Sequence, residues 1–190
     1  MPGTKTEVPN FPVTTYAVLG MLTRGEMSGY DLGKAIEGSI GFFWTPAKSQ
    51  IYSQLRRLQE AGYATERMVE QTDRPDKRLY AITPDGLRAF REWLERTPVE
   101  LEPIRSPFLL KIFFGHLMEP ASVIAHVREY RRQMEGLLEE FLEIERGIPT
   151  EGDVYPYTVL TLKYGISYAR AGIGWCDQTL EQLEEEGARR

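Results

Sequence analysis

Between residues 14 and 97 the apolar period changes twice. It runs at helix spacing through three segments, shifts to the strand-like segments YATERMVEQ and KRLYAI, and returns to helix spacing after Thr83. In the first segment, Tyr16, Leu19 and Leu22, with Val18 and Met21, make a broad apolar face. Thr14 or Thr15 is placed to cap it and Gly25 to end it. Ser28 suits the cap of a second helix that turns Tyr30, Leu32, Ala35 and Ile36 inward. After the aromatic loop SIGFFWTP comes TPAKSQIYSQLRRLQEAG, residues 45–62. Thr45 is its expected cap, Pro46 fits the first turn and Gly62 the stop. TDRPD is the turn between the two strands. Thr83 and Pro84 start a fourth helix with Leu87, Phe90 and Leu94 on one face.

Three helices, a hairpin and a helix in that order make a winged helix-turn-helix, with the hairpin as the wing. In a helix-turn-helix the second helix of the motif enters the DNA major groove; here that is the helix of residues 45–62. Ile51, Leu55 and Leu58 form its inner face. Ser49, Ser53, Arg56 and Arg57 point the other way, with Lys48 and Tyr52 on the flank. Ser49, Gln50 and Ser53 can bond base edges, and Lys48, Arg56 and Arg57 can meet phosphates. Arg74, Lys77 and Arg78 add positive charge on the wing.

The charge distribution agrees with a local patch. Residues 1–97 carry 13 Lys and Arg against 12 Asp and Glu, and residues 98–190 carry 10 against 16, which sums to the overall −5. An acidic total argues against coating nucleic acid along the whole surface, but binding depends on the local field.

Three further helices are expected beyond Arg105. Ser106 and Pro107 open the first. In the second, Val123, Val127, Tyr130, Met134, Leu137, Phe141 and Ile144 alternate in steps of four and three, a heptad seam for a coiled coil or a bundle core. The third runs from about Val154 to Glu185, with Gly165, Ala169 and Gly172 on one face for close approach. The expected fold class is therefore mainly α with a small β-hairpin wing. Residues 13–97 form the DNA-binding domain, and residues 105–186 a helical dimerisation and effector domain. Val127, Tyr130, Met134, Leu137, Phe141, Gly165, Ala169 and Gly172 are its candidate dimer interface.

The stretches TTYAVLGML, MSGYDLGKAIE, IYSQLRRLQEAGYA and DRPDKRLYAITPDG resemble the PadR family of bacterial transcriptional regulators. One departure stands in the wing, where Asp73 occupies a position usually held by Gly and its carboxylate would be repelled by phosphate. The resemblance implies a homodimeric repressor of its own or neighbouring genes, a palindromic double-stranded operator, and release by a small aromatic or lipophilic effector. Aromatic residues on either side of the expected domain junction make Trp44 and Trp93 the first candidates to line an effector pocket.

Other chemistry finds little support. His116 and His126 are ten apart and do not share a helix face, and there is one cysteine, so no metal and no cofactor is expected. No phosphate-binding glycine loop or catalytic grouping stands out, and no enzyme is expected. The single Cys176, the polar residues 1–12 and the lack of a long apolar run fit a cytoplasmic protein. The alternative function is a winged-helix module that binds protein rather than specific DNA; that module would more often present an apolar patch at residues 48–57.

Overall fold

The computed structural model describes residues 10–70, 76–148 and 156–188. The chain forms two compact units, Met1–Leu101 and Glu102–Arg190.

The first unit contains α1 (Val13–Leu22), α2 (Gly29–Glu37), α3 (Lys48–Glu60), β1 (Ala64–Val69), β2 (Lys77–Ile82) and α4 (Pro84–Arg96). It is a winged helix. Tyr16, Val18, Leu19 and Leu22 of α1, Leu32 and Ile36 of α2, and Ile51, Leu55 and Leu58 of α3 share one buried core. β1 and β2 pair antiparallel from Ala64 opposite Ile82 to Val69 opposite Lys77. The hairpin is tied to the α1–α2 loop by a two-way backbone bridge. The Met27 N–H donates to the Tyr80 carbonyl at 3.0 Å, and the Tyr80 N–H returns to Met27 at 2.9 Å.

The second unit contains α5 (Pro107–Phe113), a single 3₁₀ turn (Gly115–Leu117), α6 (Pro120–Gly147) and α7 (Pro156–Ala188). α6 and α7 interlock. An added Cβ on Gly165 would lie 2.8 Å from the Phe141 ring, and one on Gly172 would lie 3.0 Å from the Met134 sulfur. No described helix is long and apolar enough to cross a membrane.

Several local expectations give way to tertiary packing. Ser28, Thr83 and Ser106 cap their helices as their sequence positions suggest. α1, however, begins without a side-chain cap, because Thr15 is fully buried and its hydroxyl is used elsewhere. α3 starts after Ala47 rather than at Thr45. The Ala47 N–H donates to Gln50 Oε1 at 3.0 Å, and the Thr45 hydroxyl donates to the Gly41 carbonyl. Tyr30 and Leu94 face outward; Phe90 packs the α4 side of the core as expected, joined by Trp93 in place of Leu94. Ile144, the last seam position, is also exposed. Val154, the expected start of the last helix, lies outside the described residues.

The start of α4 approaches the residue before β1 so closely that only glycine fits at one position: a Cβ on Gly86 would sit 2.2 Å from the Tyr63 carbonyl oxygen. Gly86→Ala should therefore destabilise by about 1–3 kcal/mol through overpacking. Gly136 in α6 has open space around its Cβ position. Gly136→Ala should stabilise by up to about 1 kcal/mol, since alanine is the better helix former. Urea midpoints of the two variants should move in opposite directions.

Candidate nucleic-acid interface

α3 is held by one side only. Ile51, Leu55 and Leu58 are at most 3% exposed, while Lys48, Ser49, Gln50, Tyr52, Ser53, Arg56 and Arg57 are all exposed. Burying each of the three apolar side chains is worth about 1.5–3 kcal/mol. That seat leaves a polar and basic surface of about three turns turned outward.

The exposed residues are not equally available. The Gln50 side-chain oxygen is occupied by the Ala47 N–H, which leaves its side-chain NH2 as the group not used by that cap. The Tyr52 ring lies over the start of α2, where an added Cβ on Gly29 would come within 2.4 Å of it. Arg56 is 3.8 Å from Glu60 on the same helix. Among the described residues, no carboxylate pairs with Lys48 or Arg57.

On the wing, the described cations are answered by carboxylates. Lys77 Nζ lies 2.7 Å from Asp31 at the first turn of α2, and Arg78 lies 3.3 Å from Glu66 across the hairpin. Arg67 makes a forked contact with Glu26, with Nε and Nη2 both donating to its carboxylate. The Lys77 ammonium, followed by the Ser28 hydroxyl, holds the Asp31 carboxyl below its ordinary range, and the Arg67 guanidinium does the same for Glu26. Except at Glu66, which is partly buried, the partners of these pairs are largely exposed, and such pairs add little stability. Their main effect is to reduce the positive field of the wing. Arg74 and Asp73 lie outside the described residues.

Sequence reading missed Gln54. It is 8% exposed, and Thr15 Oγ1 donates to its Oε1 at 2.7 Å. The signal was available, because position 54 stands three after Ile51 and four before Leu58, within the apolar stripe. The pairing of Lys77 and Arg67 with carboxylates far along the chain had no such local signal.

The two tryptophans have different surroundings. Trp93 stacks on Tyr16 with ring centroids 4.6 Å apart and lies beside Phe90. Trp44 lines an open recess of about 230 Å³ with Thr14, Phe43, Thr45, Pro46 and Gln50. In the second unit, a recess of about 240 Å³ is lined by Phe108, Lys111, His126, Glu129, Tyr130 and Gln133. Hydrogen bonds from Arg132 and then Gln133 hold Glu129 down at about 2.

The seam residues proposed for dimer contact pack within one chain. Val127, Met134, Phe141 and Ala169 are buried, Gly165 meets Phe141 and Gly172 meets Met134. Leu137 joins the cluster of Phe141, Leu162 and Ile166, and Tyr130 stacks on Phe108 at 4.0 Å.

Residues 18–92 match the transcriptional regulator PadR-like family, and residues 104–184 match the virulence activator alpha C-term family. Residues 18–92 thus carry a PadR-like family domain, and the chain is similar to PadR regulators. It is 36% identical over 102 residues to a negative transcriptional regulator PadR of Bacillus subtilis, a match spanning 54% of this chain and 56% of that relative. The structure of Bacillus subtilis PadR with operator DNA superposes with a TM-score of 0.81 at 25% identity, covering 90% of this chain and 99% of that one. A structure of the same Bacillus protein with p-coumaric acid superposes with a TM-score of 0.75 at 24% identity, covering 91% of this chain and 99% of that one. The family's members are regulators, not enzymes.

The ion pairs of the wing give a direct prediction. Asp31→Asn removes the carboxylate that answers Lys77. Duplex affinity should rise, and the slope of log K against log salt should steepen by about one phosphate contact. Fluorescence anisotropy across a salt series checks this; equal slopes for the two proteins would mean that Lys77 stays away from phosphate.

Proposed function

We propose that this chain is a homodimeric DNA-binding repressor of its own or neighbouring genes. α3 enters the major groove of a palindromic operator, and a small aromatic or lipophilic molecule releases the complex. The observation that carries the reading is the one-sided seat of α3. Three buried aliphatic residues fix the helix, and its outward face is polar and basic where a protein-docking helix would be apolar. The operator complex and the negative-regulator name of the Bacillus relative support the same reading.

Lys48 and Arg57 are the exposed cations of α3 that no described carboxylate answers, so they are the strongest phosphate contacts. Replacing both with Ala should weaken duplex binding and flatten the salt slope by about two phosphate contacts per half-site. Unchanged affinity with the fold intact would remove α3 from the interface. The Bacillus relative's p-coumaric acid complex makes that compound the first effector to add to the same assay. Trp44 and Trp93 are the reporters, since each would sense a ligand bound beside it.

Two half-sites require two copies, with recognition helices about 34 Å apart. The seam residues Val127, Met134, Phe141, Gly165, Ala169 and Gly172 supply the rigid scaffold of each copy. The contact between copies falls on what α6–α7 packing leaves uncovered. Tyr157, Leu160, Tyr164, Tyr168 and Trp175 are exposed and follow one another at helix spacing along α7. An apolar stripe of that kind marks an association surface. Leu160→Asp with Tyr164→Asp should shift the chain from dimer to monomer in light scattering. A double variant that still dimerises as tightly as the parent chain would place the contact elsewhere.

A further inference from the structure

Among the described residues, the buried polar side chains of the first unit are Thr15, Ser28 and Gln54, and two of them meet across α1 and α3. Thr15 on α1 is 0% exposed and Gln54 on α3 is 8% exposed, and the hydroxyl donates to the amide oxygen at 2.7 Å. The same oxygen accepts from outside the core, where Arg57 Nη1 stands 3.5 Å away. Gln54 Oε1 thus connects a fully buried residue of α1 to an exposed cation on the outward face of α3. No buried side-chain polar atom among the described residues lacks a partner.

Apolar contacts are non-directional. Ile51, Leu55 and Leu58 hold α3 against the core, but they tolerate a small rotation or slide of the helix. A hydrogen bond tolerates much less, because its length and angle are both restricted. Side chains on a helix extend about 5–6 Å from its axis, so a rotation of about 20° moves their tips by about 2 Å. That is more than the whole range of good hydrogen-bond lengths. A helix that reads base edges must therefore have its rotation specified more tightly than apolar packing alone specifies it. Single buried polar contacts are known to serve as register devices in helix assemblies.

We propose that Thr15 and Gln54 are positioning residues that set the rotation of α3, and so govern how sharply the chain distinguishes one duplex sequence from another. The pair contributes little to stability, because replacing both partners of a buried hydrogen bond with apolar groups of similar shape is close to neutral. The inference rests on the reading of α3 as the DNA-facing helix.

The test uses the full chain in a selection from a random 30-base-pair duplex library. The affinity ratio of the most enriched duplex to its scrambled counterpart is then measured, alongside the urea midpoint. The Thr15→Val, Gln54→Leu double variant should keep its midpoint close to that of the parent while the ratio falls at least tenfold. The loss should come from the enriched duplex, with affinity for the scrambled duplex unchanged. Thr15→Ser keeps the hydroxyl and should keep the ratio, whereas Thr15→Val alone should lose it. A double variant with full stability and an unchanged ratio overturns the proposal, as does a Thr15→Ser variant that loses as much as Thr15→Val. If the double variant does not fold, the two single variants at Thr15 decide. A parent chain that enriches no sequence overturns the DNA-recognition reading itself, before any variant is compared, and this proposal with it.

Discussion

The seat of α3 on α1 and α2 is the contact on which the rest of the first unit depends. Ile51, Leu55 and Leu58 lose almost all their exposure to the shared core. Their combined burial is worth several kcal/mol, more than the roughly 1 kcal/mol that a single hydrogen bond such as Thr15–Gln54 contributes on balance. The division of labour follows from those magnitudes. Apolar burial determines that α3 docks, and directional polar contacts determine how it is turned. Apart from Gln50, Tyr52 and the Arg57–Gln54 contact, the outward face has no structural role, which leaves Lys48, Ser49 and Ser53 for a partner.

Charge on the wing is arranged differently from charge on α3. Lys77, Arg78 and Arg67 each have a carboxylate within ion-pair distance, and those carboxylates come from α2, β1 and the α1–α2 loop. Exposed pairs of this kind add little to stability, but they alter the field that an approaching phosphate meets. The backbone bridge between Met27 and Tyr80 puts the hairpin close enough to α2 for the Lys77–Asp31 pair to form.

In the second unit, α7 uses two faces for two purposes. Leu162, Ile166, Ala169 and Cys176 are buried, with Gly165 and Gly172 allowing close approach to Phe141 and Met134 of α6. Tyr157, Leu160, Tyr164, Tyr168 and Trp175 stay exposed. Glycine in a helix costs about 1 kcal/mol relative to alanine. At Gly165 and Gly172 the interlocked packing within a single chain already accounts for the residue choice.

Much of the fold was legible in the sequence, because helix and strand periods and the Ser28, Thr83 and Ser106 caps are local signals. The order of elements and the inward face of α3 followed from them. Local signals misled where a residue had a stronger distant partner. Thr15 looked like a cap and became a buried donor to Gln54 across 39 positions. Thr45 looked like the start of α3, yet its hydroxyl turned back to Gly41. Lys77 and Arg67 on the wing are paired with carboxylates remote in sequence, and the heptad seam, legible as either bundle or dimer, packs inside one chain. The sequence by itself determined which segments are helical or extended and which side of each is apolar, since that depends on neighbours a few residues apart. Only the tertiary structure decided which polar groups meet, because hydrogen bonds and ion pairs form between atoms that chain folding brings within about 3–4 Å.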